Sequence, residues 1–135
     1  MELSRASKLL LSTLLLLITV GCTAMVASSP DALRDMIGRD HMAGGLGTTE
    51  PALKARLNSQ IDAAAEALAS KAVHGASDAE LLEEMGTRIA AIDRDSLDTE
   101  NAEKVASAFE AMLEPLGLYS SDGLLNTWMY GFDPA

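Results

Sequence analysis

The feature that most constrains the fold is a stripe of apolar side chains between residues 51 and 73. Its members recur at intervals of three and four residues: Leu53, Leu57, Ile61, Ala64, Leu68 and Ala72. This spacing places them on one face of an α-helix. Pro51 suits the first turn of that helix, and Gly75 suits the left-handed cap beyond its end. The pattern predicts a long helix over residues 51–73.

Two further helices follow with similar periodicity. Ser77 and Glu80 form a capping box that opens a helix over residues 78–92, and a second apolar seam spans residues 100–116. Short helices are predicted from Pro30, with Ser29 as its cap, and over residues 122–130, capped by Ser120 or Ser121. Because β-branched residues are sparse and no alternation of apolar and polar residues persists, strands are not expected. Short connections make sequential helices antiparallel neighbours. The predicted fold is all-α, a small antiparallel bundle of three main helices with short terminal helices.

The first 22 residues have a different character. Arg5 and Lys8 form a short basic lead, residues 9–20 are almost entirely apolar, and Gly21 and Cys22 follow. This order is typical of a secretory signal that is removed and takes no part in the fold. Two alternatives stay open. Cleavage a few residues later would release a soluble domain, and retention of the segment would leave a membrane anchor, since the chain has no charge between Lys8 and Asp31.

The segment Thr19-Val20-Gly21-Cys22 resembles the lipobox of bacterial lipoproteins. The resemblance implies that the sulfur of Cys22 receives a diacylglyceryl group and that the signal is cut before this residue. It also implies a cell-envelope location, at the outer membrane and facing the periplasm, because Thr23 and not an aspartate follows the cysteine. A second acyl chain makes such anchoring stable. The predicted organisation is a signal peptide over residues 1–21, a lipidated tether over 22–29 and a single helical domain over 30–135.

The charge of the chain bounds its partners. The formal net charge is −10 at pH 7. Nucleic acid is therefore not expected as a partner, because its recognition needs clustered Lys and Arg. Acidity of this kind keeps a domain soluble, and it also permits a basic protein partner. The expected partners are a membrane, through the lipid anchor, and an unidentified protein.

Few residues are suited to catalysis. Asp40 and His41 lie in a glycine-rich stretch, residues 38–49, which is predicted to be a flexible hinge with exposed polar side chains. His74 is predicted to be an ordinary residue at a helix end, favoured there by the helix dipole. Residues 93–98 lack the ligand pattern of a calcium loop. We therefore predict no catalytic residue, no metal site and no cofactor.

The tail of the chain is unusual because it holds most of its aromatic residues. Four of the five lie in the last 17 residues: Tyr119, Trp128, Tyr130 and Phe132. Tyr and Trp concentrate where protein partners bind, so these residues are predicted to form a partner-binding surface. The same residues also suit a short helix that closes the bundle. Both roles can hold together.

Three functions are compatible with these features. The first is a non-enzymatic envelope lipoprotein that binds a protein partner or helps to assemble an envelope complex. The second is an inhibitor or immunity-type protein that blocks a basic cleft. The third is a small hydrolase or metal-dependent enzyme that uses Asp40, His41 and His74. The anchor and the aromatic tail favour the first.

Overall fold

The structure, a computed structural model, describes residues 27–132. In this range the chain forms six α-helices: α1 (Pro30–Arg34), α2 (Pro51–Val73), α3 (Asp78–Ala90), α4 (Thr99–Glu110), α5 (Leu113–Leu116) and α6 (Leu124–Tyr130). One turn of 3-10 helix, Arg94–Ser96, lies between α3 and α4. No strand occurs among these residues. The predicted all-α fold is therefore confirmed.

The long helix α2 is the central element. Its first turn is capped by the carboxylate of Glu50, which accepts hydrogen bonds from the amides of Ala52 and Leu53. The predicted stripe lies on the buried face, and α2 packs against α1, α3, α4 and α5. The buried residues of this face are Leu57, Ile61, Ala64, Ala65, Leu68 and Ala69. The small alanines allow neighbouring helices to approach closely.

The predicted capping box at the start of α3 is present. The hydroxyl of Ser77 accepts from the amide of Glu80, and the carboxylate of Glu80 accepts from the amide of Ser77. A side-chain cap also opens α4, since Asp98 accepts from the amide of Asn101. Local sequence signals therefore set both helix starts.

The third main helix is shorter than predicted. The sequence predicts one helix over residues 100–116, whereas α4 ends at Glu110 and α5 begins at Leu113. Pro115 explains the interruption. It has no N–H to donate to the carbonyl of Ala111, four residues earlier, and its ring crowds that carbonyl.

The tail helix α6 belongs to the bundle. It packs against α4 and α3 and buries Leu125 and Met129. It begins at Leu124, two residues later than predicted, because Asp122 and Gly123 have φ angles of 49° and 78° that a right-handed helix excludes. Its cap residue is Gly123, and not Ser120 or Ser121 as predicted, but the hydroxyl of Ser121 still accepts from the amide of Leu125 in the first turn, at 3.5 Å.

The start of the described chain is tied to α5. The amide of Ser29 donates to the carbonyl of Pro115 at 2.6 Å. The predicted hydroxyl cap is wrong, because the side chain of Ser29 makes no cap hydrogen bond with α1. Ser29 therefore lies next to α5.

Candidate functional site

The stretch between α1 and α2, residues 38–49, is called here the glycine loop. Its Asp40 carboxylate forms an ion pair with Lys54 and accepts a hydrogen bond from Asn58 Nδ2 at 3.1 Å. Both partners lie on α2, one helical turn apart. The bonds from Lys54 and Asn58 hold the pKa of Asp40 below its usual range. Asp40 therefore acts as a fastening point for the loop.

His41 is buried, in contrast to the expected exposed loop residue. Its ring is 7% exposed, and its Nε2 lies 3.0 Å from Oδ1 of Asp62. The other oxygen of Asp62 accepts from the amide of Gly38 at 3.1 Å, and the amide of His41 donates to Asn58 at 3.0 Å. An Asp–His pair is thus present, but its carboxylate comes from Asp62 and not from Asp40. Sequence reasoning missed Asp62, although it follows Lys54 and Asn58 at four-residue spacing.

The far end of the glycine loop is fastened to α4. Glu100 accepts from the amide of Gly47 at 3.0 Å, which holds the pKa of Glu100 below its usual range, and it also pairs with Lys104 at 3.4 Å. Thr49 donates its hydroxyl hydrogen to Oδ1 of Asn101 at 2.6 Å. The loop is held by both helices, so the prediction of a flexible hinge is wrong.

The residues of the enzyme hypothesis do not meet. Nδ1 of His74 lies 2.7 Å from the carbonyl oxygen of Ser70, on its own helix. His41 is bonded to Asp62, which lies twelve positions before His74. Twelve residues of helix span about 18 Å, so the two histidines are far apart. Among residues 27–132, no three His, Cys, Asp or Glu side chains are placed to hold a metal ion.

The tail is held in place by hydrogen bonds to the connection between α3 and α4. Trp128 donates its indole N–H to the carbonyl of Ile92 at 3.1 Å. The guanidinium of Arg94 donates to the carbonyls of Met129 at 3.2 Å and Leu97 at 3.1 Å. Trp128 is partly buried against the core. Of the four predicted binding residues, Trp128 therefore has a structural role.

The other three aromatic residues of the tail are exposed. The exposed fraction is 85% for Tyr119, 59% for Tyr130 and 60% for Phe132. Exposure of large apolar side chains in one region is typical of an interaction surface. The fixed helix α6 carries Tyr130, so its ring is presented from a rigid element.

An open groove of about 540 Å³ lies between α4 and α6, and we call it the tail groove. Its apolar lining comes from Leu113, Leu125 and Met129. The rings of Tyr119 and Tyr130 also line it. The groove therefore combines apolar and aromatic side chains with polar ones, since Ser107, Ser120 and Asn126 also line it.

Two carboxylates of α4, from Glu103 and Glu110, line the same groove. Seven positions apart, they share one helix face with Ser107. Both are exposed, and neither forms an ion pair with a Lys or Arg of the described chain. Sequence reasoning missed these two glutamates. Their spacing along α4 signals a common face, but nothing in the sequence places α6 beside it.

The lipid-attachment prediction at Cys22 and the signal peptide over residues 1–21 lie outside the described residues. Within residues 27–132, no helix has the length and apolar character required to span a bilayer.

Comparisons with known proteins identify a family. The comparison with curated proteins gave no match. Among solved structures, the chain is similar to that of a DUF3571 family protein from Acinetobacter baumannii AYE, with 37% sequence identity and a TM-score of 0.71. The match covers 76% of this chain and 88% of that chain. Residues 25–133 match the family described as Domain of unknown function (DUF4844). The chain thus belongs to the DUF4844 family.

Proposed function

We propose that this protein is a non-enzymatic, lipid-anchored module of the cell envelope that binds a protein partner through its tail. The surface consists of the exposed rings of Tyr119, Tyr130 and Phe132 and the adjoining tail groove. The observation that carries the proposal is the exposure of three aromatic side chains in a tail that is otherwise well fastened. Such residues are typical binding hot spots.

The position of Ser29 fits a role near a membrane. Ser29 is hydrogen-bonded to Pro115, two residues beyond Leu113 of the tail groove. The seven residues from Cys22 to residue 28 span at most about 25 Å when fully extended. If Cys22 carries the lipid, the tail groove works close to the bilayer. Its partner would then be a membrane protein or a protein held at the membrane.

Site-specific photo-crosslinking in the native envelope tests the binding surface. A photoreactive residue at position 130 or 132 is expected to give a discrete crosslinked product with one protein. The matched control is position 63 on α2, where Ala63 is exposed and does not line the tail groove. Equal crosslinking from position 63, or none from either tail position, would contradict the proposal.

The mass of the membrane-extracted protein tests the anchor separately. The wild type is expected to begin at Cys22 and to carry added acyl mass, and Cys22→Ala is expected to lack that mass. An unprocessed chain, or a chain that begins a few residues later without lipid, would remove the anchor from the proposal. The binding surface would be unaffected by that result.

A further inference from the structure

The charges that line the tail groove indicate which class of ligand it can bind. Its carboxylates, Glu103 and Glu110, lack a basic partner among the described residues, because the nearby cations bond to other groups. Lys104 pairs with Glu100, and Arg94 donates to the carbonyls of Leu97 and Met129. The groove therefore presents unneutralised negative charge beside aromatic rings and the apolar side chains of Leu125 and Met129.

We propose that the tail groove binds an extended segment of the partner protein that carries two basic side chains with an apolar side chain between them. This inference rests on the proposed function and specifies the partner of the same surface. Each cation would sit at one carboxylate, and the ring of Tyr130 would lie against one cation in a cation–π contact. The apolar side chain would pack on Leu125 and Met129.

The spacing of the carboxylates sets the spacing of the cations. Glu103 and Glu110 are seven positions apart on α4, which is about 10.5 Å along the helix axis. In an extended polyproline-type segment, positions three residues apart are about 9 Å apart and lie on the same side. Two basic residues three positions apart therefore fit the groove.

The charge of the groove also favours this ligand over other classes of macromolecule. Nucleic acid and anionic lipid head groups are repelled by exposed carboxylates. A basic protein segment is attracted, and its binding weakens as salt screens the exposed charges. Charge complementarity therefore favours a basic peptide as the occupant.

A peptide titration of the full chain tests the inference directly. The probe is the blocked peptide Gly-Lys-Leu-Ala-Lys-Gly, and the matched peptides carry norleucine or Glu in place of both Lys residues. Binding is followed by NMR shifts of residues in α4 and α6. The lysine peptide is expected to shift tail-groove signals, and the norleucine and glutamate peptides are expected to bind at least about tenfold more weakly, as for loss of charged hydrogen bonds.

Variants locate the effect. Glu103→Gln combined with Glu110→Gln is expected to raise the dissociation constant of the lysine peptide about tenfold. The charge-matched control combines Asp35→Asn with Glu83→Gln, which are exposed and do not line the tail groove. We expect this control to change the dissociation constant less than about twofold, since screened charges at distant sites contribute little. Unchanged melting temperatures show that both double variants are folded.

The outcomes separate the inference from the proposed function. If the norleucine peptide binds as well as the lysine peptide, or if both double variants weaken binding equally, the basic ligand is excluded. A discrete crosslink from position 130 would still support the binding surface. If the lysine peptide binds the tail groove as expected but tail crosslinks are absent from the envelope, the charge preference stands and the proposed function fails.

Discussion

The glycine loop and the tail differ in how they satisfy their polar groups. In the loop, Asp40, His41 and Gly47 each have hydrogen-bond partners on α2 or α4. In the tail groove, Glu103 and Glu110 have no basic partner in the described chain, and the Tyr130 ring is exposed. The loop has the composition of a mobile segment but is fastened at both ends. The tail has the composition of a core element, but some of its side chains face solvent.

This difference indicates where the function lies. Hydrogen bonds that are satisfied within the chain hold the fold together, and charges and rings that face solvent are available to a partner. The Asp–His pair of His41 and Asp62 belongs to the first group, because it fastens Gly38 and the loop to α2. Tyr130 and the two glutamates belong to the second.

The largest effect is expected at Gly45. A Cβ at this position would overlap the carboxylate of Glu100 and approach Cε of Lys104 to 3.1 Å, and the φ angle is +83°. Gly45→Ala is expected to lower the free energy of unfolding by about 2–3 kcal/mol, from backbone strain and from displacement of the Glu100 carboxylate, which accepts from the Gly47 amide. Chemical denaturation measures the change.

Gly44 provides a matched control for that substitution. Its φ angle is +80°, but a Cβ there would meet no atom within 4 Å. Gly44→Ala is therefore expected to lower the free energy of unfolding by only about 1–2 kcal/mol, from strain alone. If the two variants are equally stable, the contact between the loop and Glu100 does not contribute, and the loop is less fastened than we describe.

The next effect is expected at Asp62. Asp62→Ala leaves Nε2 of the buried His41 and the amide of Gly38 without their acceptor, so the free energy of unfolding should fall by about 1–3 kcal/mol. Asp62→Asn retains one acceptor oxygen and should have a smaller effect. The exposed Asp35→Ala is the control, with a change within about 0.5 kcal/mol. A neutral Asp62→Ala variant would show that the pair does not stabilise the loop and would return His41 to the list of functional residues.

A smaller effect is expected from the hydrogen bond that fastens the tail. Trp128→Phe retains an aromatic ring but removes the donor to the Ile92 carbonyl, and the free energy of unfolding should fall by about 1 kcal/mol. Tyr130→Phe, on the same helix but exposed, should change it by less than about 0.5 kcal/mol. Equal effects at the two positions would contradict the division of the tail into a structural and an exposed side.

The two regions also differ in how much could be predicted from their sequence. Local signals located most of the helix bounds, because the Ser77–Glu80 capping box and the periodic apolar residues of α2 act within a few residues. The hydrogen bonds of the loop could not be predicted in this way. His41 bonds to Asp62 and Gly47 bonds to Glu100, across 21 and 53 positions of the chain, and such pairs follow only from tertiary packing.

For the tail, too, the sequence predicted only part of the structure. The concentration of aromatic residues after residue 118 predicted a special region, and the structure separates Trp128 from Tyr130 by burial. The sequence could not show that α4 would contribute Glu103 and Glu110 to the same groove, because the pairing of α4 with α6 depends on the whole bundle. The sequence contains Pro115, but the prediction did not consider that Pro115 cannot bond to the carbonyl of Ala111. This effect is what ends α4 at Glu110.

The last prediction uses acid to separate the two regions, with the smallest expected effect on global stability. The bond from the Gly47 amide holds the pKa of Glu100 below its usual 4.5, so this interaction contributes fully above about pH 4.5 and is lost as the pH falls through the lowered pKa. The bonds that fasten the tail, from Trp128 and Arg94, end on backbone carbonyls and involve no carboxylate. As the pH is lowered from about 6 through that lowered pKa, the NMR signal of the Gly47 amide should therefore shift and its hydrogen exchange accelerate, while the Trp128 indole signal stays constant. Glu100→Gln should abolish the pH response at Gly47, and Glu83→Gln should leave it in place.

A Trp128 signal that follows the same titration would mean that loop and tail open together as one unit, and the tail groove would then lose its rigid support whenever the loop is released.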